Sequence, residues 1–83
     1  MSALKAWRRG RREESYWAAA RRRSETLPRG EVVSQIDLAI MSAGRAVTYY
    51  RHAATGEEQD TQLHELRLHL EAALGMLDNV LPS

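Results

Sequence analysis

The chain has 83 residues, a formal net charge of +1 and no cysteine. A chain of this length forms one domain at most and buries only about 60% of the surface that its unfolded form exposes, which leaves little room for an internal pocket. Without cysteine there is no disulfide, no thiolate metal site and no cysteine nucleophile, so the expected compartment is a reducing one, the cytoplasm. No run approaches the roughly 20 apolar residues of a membrane span, and no membrane association is expected.

Charge is distributed unevenly along the chain. Residues 1–23 contain eight basic residues and two glutamates, a net charge of +6, whereas the rest contains four arginines and nine acidic residues, a net charge of −5. We therefore divide the sequence into a basic arm rich in arginine and tryptophan, residues 1–26, and an acidic body, residues 27–83.

The body is predicted to be helical because no run alternates apolar and polar residues as a strand would. Two breaks, Leu27 to Gly30 and Thr55-Gly56, delimit predicted helices at about residues 31–54 and 57–81. The arm is also helical in pattern, although Gly10 interrupts it, so that it forms a helix only when bound or folded back. The fold class is thus all-α.

Each of the two long helices carries a heptad seam of apolar residues. The seams consist of Val33, Ile36, Ile40, Ala43, Val47, Tyr50 and Ala54 on one helix, and of Leu63, Leu66, Leu70, Ala73, Leu77 and Val80 on the other. When the chain folds back at Gly56, six pairs face each other with residue numbers that add up to 113, from Val33 with Val80 to Tyr50 with Leu63. The pattern predicts an antiparallel, coiled-coil-like helical hairpin.

The turn between the helices has its own sequence pattern. Gly56 can adopt the left-handed conformation that ends a helix, and Thr55 and Glu58 have the spacing of a capping box that starts the next one. The predicted turn and the predicted seams agree with each other.

Apolar residues that lie outside the facing pairs predict a surface for a protein partner. A row of small residues flanks the seam and allows close approach of a further helix. The predicted partner-binding residues are Val32, Leu38, Ala39, Ala46, Ala53, Leu68, His69 and Met76. The alternative is that the seams are the core of a three-helix bundle that has no partner.

Catalysis and metal binding find no support in residue spacing. His64 and His69 are five residues apart and do not share a helical face, and His52 lies on the other side of the turn. Glu65 and His69 share a face but are typical of a weak surface pair. Serines lack a Gly-rich elbow, and the glycines are scattered singly. We expect no catalytic residue, no cofactor and no metal, hence not an enzyme.

The arm supports an alternative function. Arginine neutralises phosphate and indole stacks on bases, so an arm that combines them is typical of nucleic-acid binding. The candidate residues are Arg8, Arg9, Arg11, Arg12, Arg21, Arg22 and Arg23 with Trp7 and Trp17. In this alternative the hairpin forms a homodimer and the arms bind DNA or RNA, as in a small regulatory protein.

Residues 66–77 carry a family resemblance. Within them, Leu70-Glu71 is followed by Leu74, Met76 and Leu77, which resembles the Leu-Glu-x-x-Leu-x-(Ile/Met)-Leu pattern in the second helix of the YscE/PscE-type co-chaperones of type III secretion needle subunits. The resemblance covers about residues 31–81. It implies a cytoplasmic helical hairpin that binds a TPR-like chaperone, the two together keeping the needle subunit monomeric before secretion.

Overall fold

The computed structural model describes residues 15–82, and this part of the chain contains helices and no strand. Residues 15–23 are helical (α1), and two long helices follow, α2 at Arg29–His52 and α3 at Gly56–Val80. Helices α2 and α3 are joined by three residues and pack against each other extensively as an antiparallel hairpin. The predicted all-α hairpin is confirmed, with helix bounds one or two residues from those expected.

The link from α1 to α2 is fixed by local hydrogen bonds. The Ser24 hydroxyl donates to the Arg21 carbonyl at 2.6 Å, and the Leu27 amide donates to the Arg23 carbonyl at 3.1 Å. Pro28 precedes α2, where its fixed φ is suited to a helix start, and its carbonyl accepts from the Val32 amide at 3.1 Å. The chain therefore reverses direction within a few residues.

The turn from α2 to α3 confirms the predicted capping box and corrects the predicted role of glycine. The Glu58 amide donates to Thr55 Oγ1 at 3.1 Å, and the Glu58 carboxylate accepts from the Ala54 amide at 2.9 Å. No residue among 15–82 has a positive φ, so Gly56 does not end α2 in a left-handed conformation. Instead Ala53 leaves the helix with extended backbone, φ −67° and ψ 135°, which any residue adopts, and Gly56 is the first residue of α3.

All three helices contribute to one core, which is made mostly of small residues. Its buried members are Trp17, Ala20, Val32, Ala39, Ala72, Ala73 and Met76. Leu27, Ile36, Leu68 and Val80 are partly buried against this cluster. Because alanines line much of the contact, the helix axes can approach closely and the one large indole, from α1, fits across the pair.

The predicted seam on α2 is only partly correct: Ala43 is buried, but the centre of the buried face is displaced by about one residue. Val32, Ala39 and Ala46, each one position before a seam residue, are buried. A shift of one residue rotates a helix face by about 100°. The large seam residues that are exposed, on α2 and on α3, are Val33, Ile40, Tyr50, Leu63, Leu70 and Leu77. The physical reason is the position of α1. Val32, Ala39 and Ala46 face both α3 and α1, so the larger seam residues lie on the side of the hairpin that α1 does not cover.

Helix α1 and Ser24, the residue after it, are attached to α3 by several contacts. Trp17 Nε1 donates to His69 Nδ1 at 2.7 Å in a buried environment. Asn79 Nδ2 donates to Ser24 Oγ at 2.6 Å. The aliphatic part of Arg21 lies so close to Gly75 that a Cβ there would stand 2.6 Å from Arg21 Cδ. The described part of the predicted arm is therefore packed into the same unit as the hairpin.

Candidate protein-binding surface

An apolar surface lies along the side of the hairpin that α1 does not cover. We call it the open face; it consists of Val33, Ile36, Ile40 and Val47 on α2, and of Leu63, Leu66, Leu70 and Leu77 on α3. Val33, Ile40 and the leucines at 63, 70 and 77 are exposed, whereas the remaining three are half-buried. The open face uses the residues that the sequence pattern assigned to the core seam.

The open face and α1 lie on opposite sides of α3. Gly75 and Asn79 contact α1, through Arg21 and Ser24. At about 100° per residue, Leu70 and Leu77 point roughly half a turn away from those two positions. A second molecule can therefore cover the open face without displacing α1.

The dimensions of the open face suit a helical partner. Val33 and Val47 are fourteen positions apart, as are Leu63 and Leu77, which corresponds to about 21 Å of helix. With two helices each about 10 Å across, the face measures on the order of 400 Å². The largest contiguous apolar patch on a soluble monomer is typically about 300 to 600 Å² and is often functional.

The outer edge of α2 beside the open face is polar. Asp37, Gly44 and Arg51 follow one another at intervals of seven residues and are exposed. Within residues 15–82 neither Asp37 nor Arg51 forms an ion pair, whereas Arg67 and Glu71 on α3 pair with each other at 2.9 Å. A side chain at Gly44 would meet no atom within 4 Å. The α2 edge thus has a negative charge at Asp37 and a positive charge at Arg51, one on each side of Gly44.

The structure places most of the predicted partner-binding residues in the core. Val32, Ala39, Ala46, His69 and Met76 are buried in the core. Of the others, Leu68 is partly buried against the core, Ala53 is half-buried, and Leu38 is exposed. The five buried residues are covered by the chain's own helices and are not presented to a partner in this structure. The face that needs covering is the one that sequence reasoning took to be paired.

The predicted nucleic-acid residues are only partly within the described chain. Trp7 and the arginines at 8, 9, 11 and 12 lie outside residues 15–82. Arg21, Arg22 and Arg23 are exposed on α1. Trp17 is buried and its indole N–H is bonded to His69, so it is not presented for stacking on a base. The described part of the arm therefore offers exposed arginines, and its exposed aromatic side chain is that of Tyr16.

The histidines are not gathered into a site in the described chain. His69 is buried against Trp17, with the two ring centroids 5.7 Å apart and edge to face. His52 and His64 are exposed. Residues 15–82 contain no group of three His, Cys, Asp or Glu side chains placed to hold a metal ion. His69 therefore has a structural role as an acceptor in the core.

Comparisons with protein-family models, curated proteins and solved structures find no match. Among residues 15–82, no helix has the length and apolar character required to cross a membrane. Function is therefore inferred from the open face itself.

Proposed function

We propose that this chain is a non-catalytic binding module whose open face docks onto a helical partner protein. The observation that supports the proposal is the row of exposed apolar side chains at matched intervals on both helices of the hairpin. The resemblance of residues 66–77 to the YscE/PscE-type co-chaperones suggests the partner, a TPR-like chaperone that is built from helices. In that role the protein stabilises the chaperone in the cytoplasm and helps to keep a needle subunit soluble.

The shape of the open face favours a helix as its ligand. Ile40 and Leu70 protrude from neighbouring helices, and a third helix lies in the groove between such rows with its own apolar face inward. Covering about 400 Å² of apolar surface at about 25 cal/mol per Å² contributes on the order of 10 kcal/mol before the costs of association. When several kcal/mol are subtracted for the costs of association, the remaining free energy is enough for a stable complex.

Two adjacent residues of α2 provide a matched test. Ile40 on the open face and Met41 beside it are 54% and 56% exposed, but their side chains point about 100° apart. Each is changed to lysine, and the unmodified chain and the two variants are co-expressed with a TPR-like chaperone of the YscE/PscE-type systems. Circular dichroism checks that all three proteins fold.

We expect Ile40→Lys to weaken the complex at least about 10-fold, because a desolvated charge at an interface costs more than 1.4 kcal/mol. Met41→Lys should bind as the unmodified chain does. Isothermal titration of the purified proteins measures both affinities. If the two lysine variants bind equally well, the open face is not the docking surface.

A second candidate function, nucleic-acid binding through the arm, is favoured by the three consecutive exposed arginines of α1. Each arginine that neutralises a phosphate adds roughly 0.7 to 0.9 to the logarithmic dependence of affinity on salt. Replacing Arg21, Arg22 and Arg23 by glutamine should then reduce that slope by about 2 or more. Fluorescence anisotropy with labelled DNA and RNA at several salt concentrations measures it, and binding that is absent at low salt would exclude this function.

A further inference from the structure

We propose that, in the absence of another partner, two copies of this chain pair through their open faces as an antiparallel four-helix bundle whose two-fold axis passes beside Gly44. The inference goes beyond partner docking and rests on the charges and spacing of the α2 edge. It makes self-association and docking of the chaperone competing events at one surface.

The charges on α2 are complementary to a second copy of themselves. Asp37 and Arg51 lie seven residues on either side of Gly44 and on the same edge of the helix. In a two-fold antiparallel contact centred on Gly44, Asp37 of each copy faces Arg51 of the other, which forms two symmetric ion pairs. An in-register parallel contact would place Asp37 beside Asp37 and Arg51 beside Arg51. Charge therefore favours the antiparallel arrangement.

Gly44 is an unusual residue for its position. An exposed glycine in the interior of a helix destabilises that helix relative to alanine. Nothing in the described chain needs the space, because a Cβ at Gly44 would meet no atom within 4 Å. At a two-fold axis the same residue of both helices meets itself, and the missing side chain allows the two α2 backbones to come close.

The α3 residues at the same level support this placement of the axis. Gly44 lies eight residues before the end of α2 at His52, or about 12 Å. Leu66 lies ten residues after the start of α3 at Gly56, or about 15 Å. An axis that passes Gly44 therefore passes near Leu66, with Leu63 and Leu70 on either side of it. The leucines of the two α3 helices then meet each other across the interface.

The area of the open face sets the expected strength of the pair. Two faces of about 400 Å² bury on the order of 800 to 1,000 Å² in total, which is below the roughly 1,200 Å² of stable interfaces and in the range of weak, transient ones. We therefore expect a dimer that dissociates at micromolar concentrations. Such a dimer covers the apolar surface of the free protein and still dissociates when a partner binds the open face more tightly.

Sedimentation equilibrium of the full chain over a concentration series tests the pairing. The unmodified chain should dimerise, and the charge reversals Asp37→Arg and Arg51→Asp should each raise the dissociation constant at least about 10-fold, since each places like charges opposite each other twice. The double variant D37R/R51D should return to within about 3-fold of the unmodified chain, because its charges are again complementary. Glu31→Arg, a reversal elsewhere on the surface of α2, is the control and should have little effect.

The sedimentation results distinguish pairing of two copies from its absence. An unmodified chain that stays monomeric up to millimolar concentration overturns the pairing, as does a dimer that neither single reversal weakens or that the double variant fails to restore. Circular dichroism confirms folding of the variants, whose changed residues are exposed. A monomeric result leaves chaperone docking intact, because the titration of Ile40→Lys against Met41→Lys measures the complex with the chaperone directly.

Discussion

Met76 and Leu70 lie on the same helix and test which face of the hairpin is the core. Met76 is fully buried, whereas Leu70 is 46% exposed. Met76→Ala removes three heavy atoms from a closed environment, so both transfer and cavity terms apply, and we expect a loss of about 2 to 5 kcal/mol in the free energy of unfolding. Leu70→Ala removes atoms that are about half solvated and leaves no closed cavity, so we expect a loss of about 1 kcal/mol.

Urea titration followed by circular dichroism measures both changes. It is run at low micromolar concentration, so that self-association contributes little. In a domain of this size each kcal/mol also lowers the melting temperature by about 4 to 8 °C, which gives an independent check. An equal or larger loss for Leu70→Ala would refute the register of the structure and favour the heptad seam.

Further variants test the contacts of α1 and the alanine row. Trp17→Phe removes the donor to His69 and should cost about 1 to 3 kcal/mol, seen as a lower urea midpoint. Ala46→Glu, at a position that is 2% exposed, should cost about 3 kcal/mol or more by burying a charge; a melting temperature within 2 °C of the unmodified chain would contradict this. Deletion of residues 1–26 removes Trp17 and Ala20 from the core and should cost about 4 kcal/mol or more; unchanged thermal unfolding would show that α1 is dispensable.

Local features of the fold could be read from the sequence because they depend on residues close together in the chain. The Thr55–Glu58 capping box and the break at Pro28 define the ends of the helices within one or two residues. Their spacing is set by backbone hydrogen bonds that any helix makes, so it is independent of the tertiary structure. The antiparallel hairpin followed from the short turn between two long apolar helices.

Which face of each helix is buried could not be predicted in the same way. Val33 and Ile40 form a better heptad seam than Val32 and Ala39, and periodicity gives greater weight to large apolar residues. The choice was decided by α1, whose Trp17 requires a site beside His69 on the opposite side of the hairpin. That contact joins residues 52 positions apart, and no local pattern contains it. The one hint was the row of small residues, which allows a third helix to approach.

The alanine-rich core reverses the usual pattern of tolerance to substitution. In most cores a mutation is harmful because it removes atoms, but Ala39, Ala46 and Ala72 have almost nothing to remove, and at these sites any longer side chain forces the helices apart. On the open face a shorter side chain costs the isolated fold little, and its larger effect is on complexes. Over evolutionary time, the alanine positions therefore restrict the protein to small residues, while the leucines and isoleucines of the open face are free to change together with whatever they bind.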